Sequence, residues 1–255
     1  MLKVRVIPTL LWKDVGLVKG IGFDSWRRVG PILPAIKVYN TRQVDELIIV
    51  DILATNEKRR PDFDSVRDFS ADCFVPLTVG GGITSLSDVR ELLRAGADKV
   101  CINTAAYNNI NLVTEISNAF GAQCVVASID AKKNYSGDYE CYSNSGKVPR
   151  GISAAEWAER VEKAGAGEIL LTSIERDGSH RGFDLELIKS VTSRVKIPVI
   201  AAGGADTPKD FIKPVLEAGA SAVSAASIFH YTQYTPLDVK IEMSKHGIPV
   251  RLVDR

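Results

Sequence analysis

Short apolar runs alternate along the chain with longer segments in which apolar residues recur at helical spacing. The runs are rich in β-branched residues and nearly continuous in hydrophobicity, which is typical of parallel strands covered on both faces. Eight such runs occur, at Val4–Leu10, Glu46–Asp51, Phe74–Val79, Lys99–Asn103, Cys124–Asp130, Glu168–Ser173, Ile197–Ala202 and Ala222–Ala226. The pattern predicts an α/β protein with eight strands and intervening helices.

Several residues mark where helices and loops should begin. Ser153 is followed three residues later by Glu, which is the pattern of a capping box, and Thr207 precedes a proline that suits the first helical position. Pro214 should kink or shorten that second helix. The 23-residue interval from Asp130 to Ser153 is too long for a simple turn, so we expect an elaborated active-site loop there.

The two halves of the sequence resemble each other. Residues 75–82 (VPLTVGGG) match residues 197–204 (IPVIAAGG) at an offset of 122, and residues 45–51 match 167–173 at the same offset. Four strand–helix units in each half imply a closed (β/α)8 TIM barrel, formed as a single domain by residues 1–255 with half-barrels of roughly 1–122 and 123–255. A doubly wound open sheet is the lesser alternative, because Rossmann folds lack this repetition.

Composition and charge exclude several classes of protein. The 32 basic and 31 acidic residues give a net charge of +1, which provides no global field for nucleic acid or an anionic membrane. Four cysteines and three histidines are scattered without metal-ligand spacing, so we expect no metal site and no cofactor. Lys3, Arg5 and Lys13 interrupt the apolar N-terminus, unlike a signal peptide. These features predict a cytoplasmic protein.

Glycine pairs recur at symmetric strand ends and predict phosphate sites. Glycine lets backbone N–H groups approach a ligand closely, and a following helix N-terminus favours an anion. One such pair could serve only a tight turn, but two symmetric pairs, each beside a strand end bearing Thr or Ser, favour a substrate with a phosphate at both ends. The expected phosphate-binding residues are Gly81, Gly82, Asn103, Thr104, Gly203, Gly204, Ala226 and Ser227.

Three aspartates are candidates for the chemistry. Asp130 ends the fifth predicted strand and should point into the mouth of the barrel, where a carboxylate can act as general acid or base. Asp51 and Asp177 lie in the corresponding regions of the second and sixth strands. For any one of them the alternative is a helix cap or a loop hydrogen bond.

These motifs resemble the cyclase subunit family of imidazole glycerol phosphate synthase, an enzyme of histidine biosynthesis. A sister family, the isomerase one step earlier, shares the half-barrel repeat, but the Lys19 segment, the long loop after Asp130 and the 247–251 tail look more like the cyclase. The resemblance covers essentially the whole chain and is carried by residues 5–8 (RVIP), 13–14 (KD), 18–20 (VKG), 45–46 (DE), 77–83 (LTVGGGI), 97–103 (ADKVCIN), 169–178 (ILLTSIERDG) and 225–230 (AASIFH).

The resemblance implies a reaction and a partner. Family members form a heterodimer with a glutaminase subunit docked at the N-terminal face of the barrel. Ammonia passes through the barrel and reacts with a bisphosphorylated ribulosyl-aminoimidazole carboxamide, giving imidazole glycerol phosphate and an aminoimidazole carboxamide ribonucleotide. The resemblance adds Lys19, with Asp51 and Asp177, to the substrate site.

The resemblance also implies an ammonia gate at the strand starts. Two positive and two negative groups can satisfy one another around a narrow polar opening, whereas singly each would read as an ordinary solvated charge. The four matching residues are Arg5, Glu46, Lys99 and Glu168, and Asp98 and Gln123 match positions that face the glutaminase in the family.

One catalytic position departs from the family. Its first carboxylate belongs where this chain has Leu11, and aligning residues 7–13 with 126–132 places Leu11 opposite Asp130. Leucine cannot transfer a proton, and losing one positioned acid or base commonly costs ~10²–10⁴-fold in rate. Trp12 adds bulk beside it, which predicts a reshaped mouth.

Three hypotheses follow. The chain is a working cyclase subunit in which Asp130, with Asp51 or Asp177, carries the acid–base work. Alternatively, it is a paralogue that keeps the barrel and gate but channels ammonia to an amidotransferase making acetamidino sugars for surface polysaccharides, which Leu11 favours. The least favoured is a non-catalytic activator of the glutaminase, because the phosphate motifs and Lys19 are retained. Overall similarity keeps the synthase family as the assignment.

Overall fold

A computed structural model of the chain describes residues 2–14 and 16–252. Its strands are β1 (Arg5–Lys13), β2 (Gly16–Ile21), β3 (Asp24–Gly30), β4 (Leu47–Asp51), β5 (Leu77–Gly80), β6 (Lys99–Ile102), β7 (Val125–Lys133), β8 (Tyr139–Ser143), β9 (Val148–Ser153), β10 (Glu168–Ser173), β11 (Val199–Ala202) and β12 (Ala222–Ala225). Its α-helices are α1 (Ile32–Thr41), α2 (Phe63–Ala71), α3 (Leu86–Arg94), α4 (Thr104–Asn108), α5 (Asn111–Phe120), α6 (Ala154–Lys163), α7 (Leu185–Thr192), α8 (Ile212–Leu216), α9 (Ser227–Tyr231) and α10 (Pro236–Lys245). Short 3₁₀ helices cover Ala122–Cys124 and Pro208–Phe211.

Eight strands close into a parallel barrel. The order is β1-β4-β5-β6-β7-β10-β11-β12, with β12 pairing β1 and β7 pairing β10. Each of these strands lies at one of the eight predicted apolar runs, because a strand buried on both faces must be apolar on both. The predicted (β/α)8 barrel is confirmed, and the lesser alternative of an open sheet is wrong.

Two antiparallel hairpins extend the barrel at its C-terminal end. Strands β2 and β3 continue from β1, and β8 and β9 continue from β7. The loop predicted over Asp130–Ser153 is therefore largely a hairpin. The sequence pattern missed it because β9 is mostly exposed and carries no apolar run. A hairpin thus follows both β1 and β7.

The helix boundaries follow local capping chemistry. The side chain of Asp62 accepts a hydrogen bond from the amide of Ser65 at the start of α2, and Asp184 does the same for Leu187 in α7. Ser153 caps α6, but Glu156 pairs with Arg160 at 2.6 Å and does not complete the predicted capping box. Thr207 caps only the short 3₁₀ helix, and α8 after it is five residues long and contains Pro214, the predicted helix breaker. No helix in the described ranges is long and apolar enough to cross a membrane.

The main core lies between the barrel and its helices, and Phe211 is fully buried within it. Its ring meets Phe183 edge-on at 5.3 Å and stacks on Phe229 at 6.2 Å between centroids. We expect Phe211→Ala to lower the free energy of unfolding by about 3–5 kcal/mol through lost burial and the cavity left behind, as measured by urea denaturation.

The control for this prediction is Tyr135→Ala, because Tyr135 is fully exposed at the tip of the β7–β8 turn. That change should shift the free energy of unfolding by less than about 0.5 kcal/mol. Equal effects of the two substitutions would show that the aromatic cluster around Phe211 is not part of the cooperative core.

Candidate active site

The barrel interior is arranged in layers from its N-terminal floor to its C-terminal mouth. Side chains alternate along a strand, so Arg5, Ile7, Thr9 and Leu11 of β1 all face inwards, two residues apart. The layer above the floor is a hydrophobic cluster that comprises Ile7, Ile48, Cys101, Val126, Leu170, Ile200 and Ala222. The next layer carries the hydroxyl groups of Thr9, Ser128, Thr172 and Ser224, of which Thr9 and Ser224 are hydrogen-bonded at 2.6 Å.

The four predicted gate residues form a closed ring of ion pairs at the floor. Arg5 Nη1 lies 2.6 Å from Glu46 Oε1 and 3.0 Å from Glu168 Oε1. Lys99 Nζ lies 3.0 Å from Glu46 Oε2 and 3.1 Å from Glu168 Oε1. Each side chain is less than a quarter exposed, so each partly buried charge has two opposite charges beside it.

A cavity opens to solvent at the mouth of the barrel. Sequence reasoning missed the inward hydroxyl groups and the aromatic rings of Phe23 and Trp26, which reach the cavity from the β2–β3 hairpin. Strand alternation could have found the hydroxyls, but no pattern marked the hairpin. Ten of the predicted site residues line the cavity: Lys19, Asp51, Gly81, Gly82, Asn103, Thr104, Asp130, Asp177, Gly203 and Ala226. Gly204 and Ser227 follow directly behind Gly203 and Ala226 in the chain.

Asp130 is a buried carboxyl group that lines this cavity. It lies on β7, is 9% exposed, and its Oδ2 accepts a hydrogen bond from Asn103 Nδ2 at 3.1 Å. Burial, together with the nearby charge of Asp177, raises the pKa of Asp130 to about 7. A carboxyl group with this pKa can both accept and donate a proton near neutral pH.

Lys19 and Asp177 form a second charged unit across the mouth. Lys19 Nζ lies 2.6 Å from Asp177 Oδ2, and Lys19 is only 2% exposed. Burial raises the pKa of Asp177 although Lys19 opposes the shift. The main-chain amide of Gly22 also donates to the carbonyl of Asp177 at 2.8 Å. The β2–β3 hairpin is thereby fastened to the opposite half of the barrel.

Asp51 uses its carboxylate to hold the loop after β4. It accepts from the amides of Leu53 and Ala54 at 3.0 Å and pairs with Arg59 Nη1 at 2.9 Å. These contacts match the loop-bonding alternative for this aspartate, although the residue also lines the cavity. Within the ranges that the structure describes, no three His, Cys, Asp or Glu side chains are grouped to hold a metal ion.

Leu11 occupies the position related to Asp130 by the internal repeat. Leu11 pairs with Val50 in the β1–β4 ladder, and Asp130 pairs with Thr172 in the β7–β10 ladder. Val50 and Thr172 are themselves 122 positions apart, which is the repeat offset. The cavity therefore has a carboxyl group on one side and an isobutyl group at the equivalent place on the other.

Trp12 does not reshape the mouth, and the prediction that it does is wrong. Its side chain is 7% exposed in the outer core, where its ring meets Phe69 edge-on at 5.2 Å. Successive residues of a strand point to opposite faces, so a residue beside an inward Leu11 faces the helices. Trp26 is the tryptophan that lines the cavity.

Two glycine cradles border the cavity. The first cradle is Gly81, Gly82 and Thr104, all of which line it, and the second cradle is Gly203, Gly204 and Ser227, of which Gly203 lines it and the other two are buried directly behind. All four glycines have positive φ, between 72° and 108°. A Cβ on Gly81 would collide with the carbonyl oxygen of Asp51, and one on Gly204 with that of Gly182, so glycine is required there. The helices that begin at Thr104 and Ser227 are five residues long, so an anion would meet amide groups rather than an extended helix dipole.

The N-terminal end of the barrel combines polar and apolar exposed groups. Asp98 Oδ2 accepts from the amide of Leu77 at 2.8 Å, and Gln123 Nε2 donates to the carbonyl of Phe120 at 3.1 Å. Both residues are exposed. Leu2 and Phe74, which are 94% and 82% exposed, precede β1 and β5 at the same end. This face therefore surrounds the ring of ion pairs with accessible apolar side chains.

An ion-paired floor, an acidic mouth and two glycine cradles together define a (β/α)8 barrel with a twofold internal repeat. The chain belongs to the histidine biosynthesis protein family, whose model matches residues 5–235. It is 47% identical over 252 residues to the imidazole glycerol phosphate synthase subunit HisF of Pyrococcus furiosus, covering 99% of this chain and 100% of the relative. The family resemblance seen in the motifs is confirmed.

The raised pKa of Asp130 predicts a pH dependence of stability. Folding moves this pKa from near 3.8 to about 7, so the folded chain binds more protons than the unfolded chain in that interval. The contribution of Asp130 to stability therefore falls as pH rises from about 4 to about 7. Asp130→Asn removes this titration, and its free energy of unfolding relative to the native chain should be higher at pH 8 than at pH 4, measured with urea.

Asp138→Asn is the matched control, because Asp138 is exposed on the β7–β8 turn. Its effect should be nearly the same at both pH values. An Asp130→Asn protein whose relative stability does not change between pH 4 and pH 8 would contradict the raised pKa.

Proposed function

We propose that this chain is the synthase subunit of an imidazole glycerol phosphate synthase, which uses ammonia on a bisphosphorylated aminoimidazole carboxamide ribonucleotide. The observation that carries the proposal is the pair of symmetric cradles on either side of Asp130, in a chain 47% identical to a HisF subunit over its full length. Two cradles suit a substrate with phosphate at both ends, and the acidic group lies between them where the reacting centre would be held.

In this proposal, ammonia enters through the floor ring. Moving one ion pair opens the ring without leaving a charge unpaired, because each of the four groups has two partners. The apolar layer above admits neutral ammonia and disfavours ammonium, since an unpaired cation is costly in apolar surroundings. The hydroxyl layer then offers hydrogen-bond partners just below Asp130.

Asp130 carries the proton transfer at the mouth. A carboxyl group with a pKa of about 7 accepts the proton that the ammonia nitrogen releases as it attacks, and returns it at a later step. Asn103 fixes the carboxyl by its 3.1 Å hydrogen bond, and Lys19, held by Asp177, supplies a positive charge for the anionic substrate. Leu11 supplies no second acid, so one group takes both roles.

The partner in this proposal is a glutaminase subunit bound to the N-terminal face. The relative's name describes one subunit of a larger synthase. In this chain, exposed Leu2 and Phe74 lie around the ring of ion pairs, with Asp98 and Gln123 available for polar contacts. Apolar anchors rimmed by polar groups are typical of protein interfaces.

Leu11 favours one second candidate. A barrel that keeps the floor ring and cradles but lacks one of two acids suits a role in which ammonia is delivered and the cyclisation is weak or lost. The acceptor would then be a sugar amidotransferase that makes acetamidino sugars for surface polysaccharides. This candidate and the synthase share every feature except the acceptor, so activity separates them.

Turnover of the bisphosphorylated substrate with ammonium salts tests the mouth. Asp130→Asn should lower kcat by ~10²–10⁴-fold because the positioned acid–base group is lost. Leu11→Asp should raise kcat, because it restores a carboxyl at the symmetric position. Asp138→Asn, exposed and remote, should leave kcat unchanged. No turnover in both the native chain and Leu11→Asp would reject the synthase and leave ammonia delivery.

The floor ring is tested with a glutaminase partner present. Lys99→Met leaves Glu46 and Glu168 with one cation, so the ring of ion pairs should no longer control the passage of ammonia. Glutamine-driven turnover should therefore change several-fold. Ammonium-driven turnover should stay near the native rate, because added ammonia reaches the mouth from solvent. Lys163→Met is the control, because Lys163 is an exposed residue of α6. Equal loss of both activities would mean that Lys99 supports the fold and not ammonia passage.

A further inference from the structure

We propose that the two cradles bind phosphate unequally, and that Arg176 makes the second cradle the stronger site. This inference rests on the proposed function, in which the substrate carries a phosphate at each end. It adds a binding residue and an order of affinity: the second cradle binds its phosphate more tightly than the first cradle does.

Arg176 stands where the first half of the barrel has a methyl group. The repeat offset of 122 relates Ala54 to Arg176. A Cβ on Gly82 of the first cradle would lie 2.9 Å from Ala54 Cβ, and a Cβ on Gly204 of the second cradle would lie 3.1 Å from Arg176 Cβ. The two side chains therefore flank equivalent glycines, and only the second cradle has a guanidinium group there.

The guanidinium group of Arg176 remains close to the second cradle. Its Nη1 donates to the carbonyl of Arg181 at 2.9 Å. The next residue, Gly182, donates its amide to the carbonyl of Gly204 at 2.8 Å. Arg176 is half-buried, and its contact with Arg181 keeps the guanidinium group beside the segment that borders Gly204.

The charge of Arg176 is not taken up by a carboxylate. Within residues 2–14 and 16–252, no carboxylate oxygen lies within 4 Å of its guanidinium nitrogens. Glu186 is close enough for Arg176 to contribute to lowering its pKa, but Lys133 Nζ already pairs with it at 2.9 Å. An arginine without a carboxylate partner is well suited to a charge-assisted contact with phosphate.

The arginines beside the first cradle are, in contrast, engaged. Arg59 pairs with Asp51 at 2.9 Å and with Glu57 at 2.6 Å. Arg60 Nε lies 2.8 Å from Asp88 Oδ1. The position related to Asp51 in the second half is a serine, Ser173, so this neutralising carboxylate has no equivalent there.

The hydrogen bonding of the glycine amides also favours the second cradle as the stronger phosphate site. In the first, the amide of Gly82 donates to Thr55 Oγ1 at 3.3 Å. In the second, no oxygen of the described residues accepts a hydrogen bond from the equivalent amide of Gly204. The amide of Gly204 is therefore available to an anion, whereas that of Gly82 is engaged.

Two carboxylates near the second cradle are already satisfied. Asp210 Oδ2 accepts from the amides of Asp206 and Thr207 at 3.0 and 2.8 Å. Asp206 Oδ1 lies 2.9 Å from His180 Nδ1. Their negative charge is spread over these donors and does not engage Arg176.

The test is titration of the full-length chain with inorganic phosphate, followed by amide chemical shifts of Gly82 and Gly204 in a ¹H–¹⁵N NMR spectrum. We expect Gly204 to shift at lower phosphate concentration than Gly82. Arg176→Gln should weaken phosphate binding at Gly204 about tenfold, the loss expected for one charge-assisted hydrogen bond, and Arg176→Lys should recover part of it. Arg59→Gln is the control and should leave the Gly204 titration unchanged.

Ala54→Arg tests the same idea in the other half, because it places an arginine beside Gly82 and should strengthen the first cradle. Equal titration of the two glycines in the native chain, or an Arg176→Gln protein with native phosphate affinity and a native thermal midpoint, would overturn the proposal. So would the absence of phosphate binding at Gly204. None of these readouts needs the bisphosphorylated substrate or the glutaminase, so a chain inactive as a synthase still answers the question.

Discussion

The whole site depends on the hydrogen-bonded ladder by which β7 pairs with β10 and closes the barrel. This ladder runs in register from Val126 with Glu168 to Ala131 with Ser173. Because side chains alternate along each strand, a fixed register places equivalent residues of all strands at one height. The ion pairs then meet at the floor, the apolar residues above them and the acidic group at the mouth. A shift by one residue would turn every layer to face the helices.

The twofold repeat determines where the cradles, helix caps and hairpins lie, and the departures from it fall at the proposed active site. The glycines of the two cradles, the capping aspartates Asp62 and Asp184, and the hairpins all keep the symmetry. Leu11 facing Asp130 breaks it at the mouth. The proposed substrate, with a phosphate at each end and a reacting centre between them, matches this combination of repeated cradles and an unsymmetrical middle.

Much of the fold could be predicted because the relevant signals are local. All eight barrel strands coincide with apolar runs, and the residues at their ends reach the same cavity because parallel strands end together. The hairpins escaped prediction because their outer strands β3 and β9 are mostly exposed and carry no apolar run, and with them Phe23 and Trp26 at the mouth were missed. The direction of Trp12 was also mistaken, because facing inwards or outwards depends on register rather than on neighbours in sequence.

The sequence by itself determined the barrel, its repeat, the family and which side chains stand at the strand ends, because these follow from residue type and spacing. Only the tertiary structure decided how those side chains interact. It joined Arg5 to Glu168, 163 positions away, at 3.0 Å, and it buried Asp130 beside Asp177 so that its pKa rises to about 7. It also directed the carboxylate of Asp51 to hydrogen bonds within the loop that follows β4. It left Arg176 without a carboxylate partner in the described ranges. Distances and burial arise from the packing of distant segments, and no local pattern encodes them.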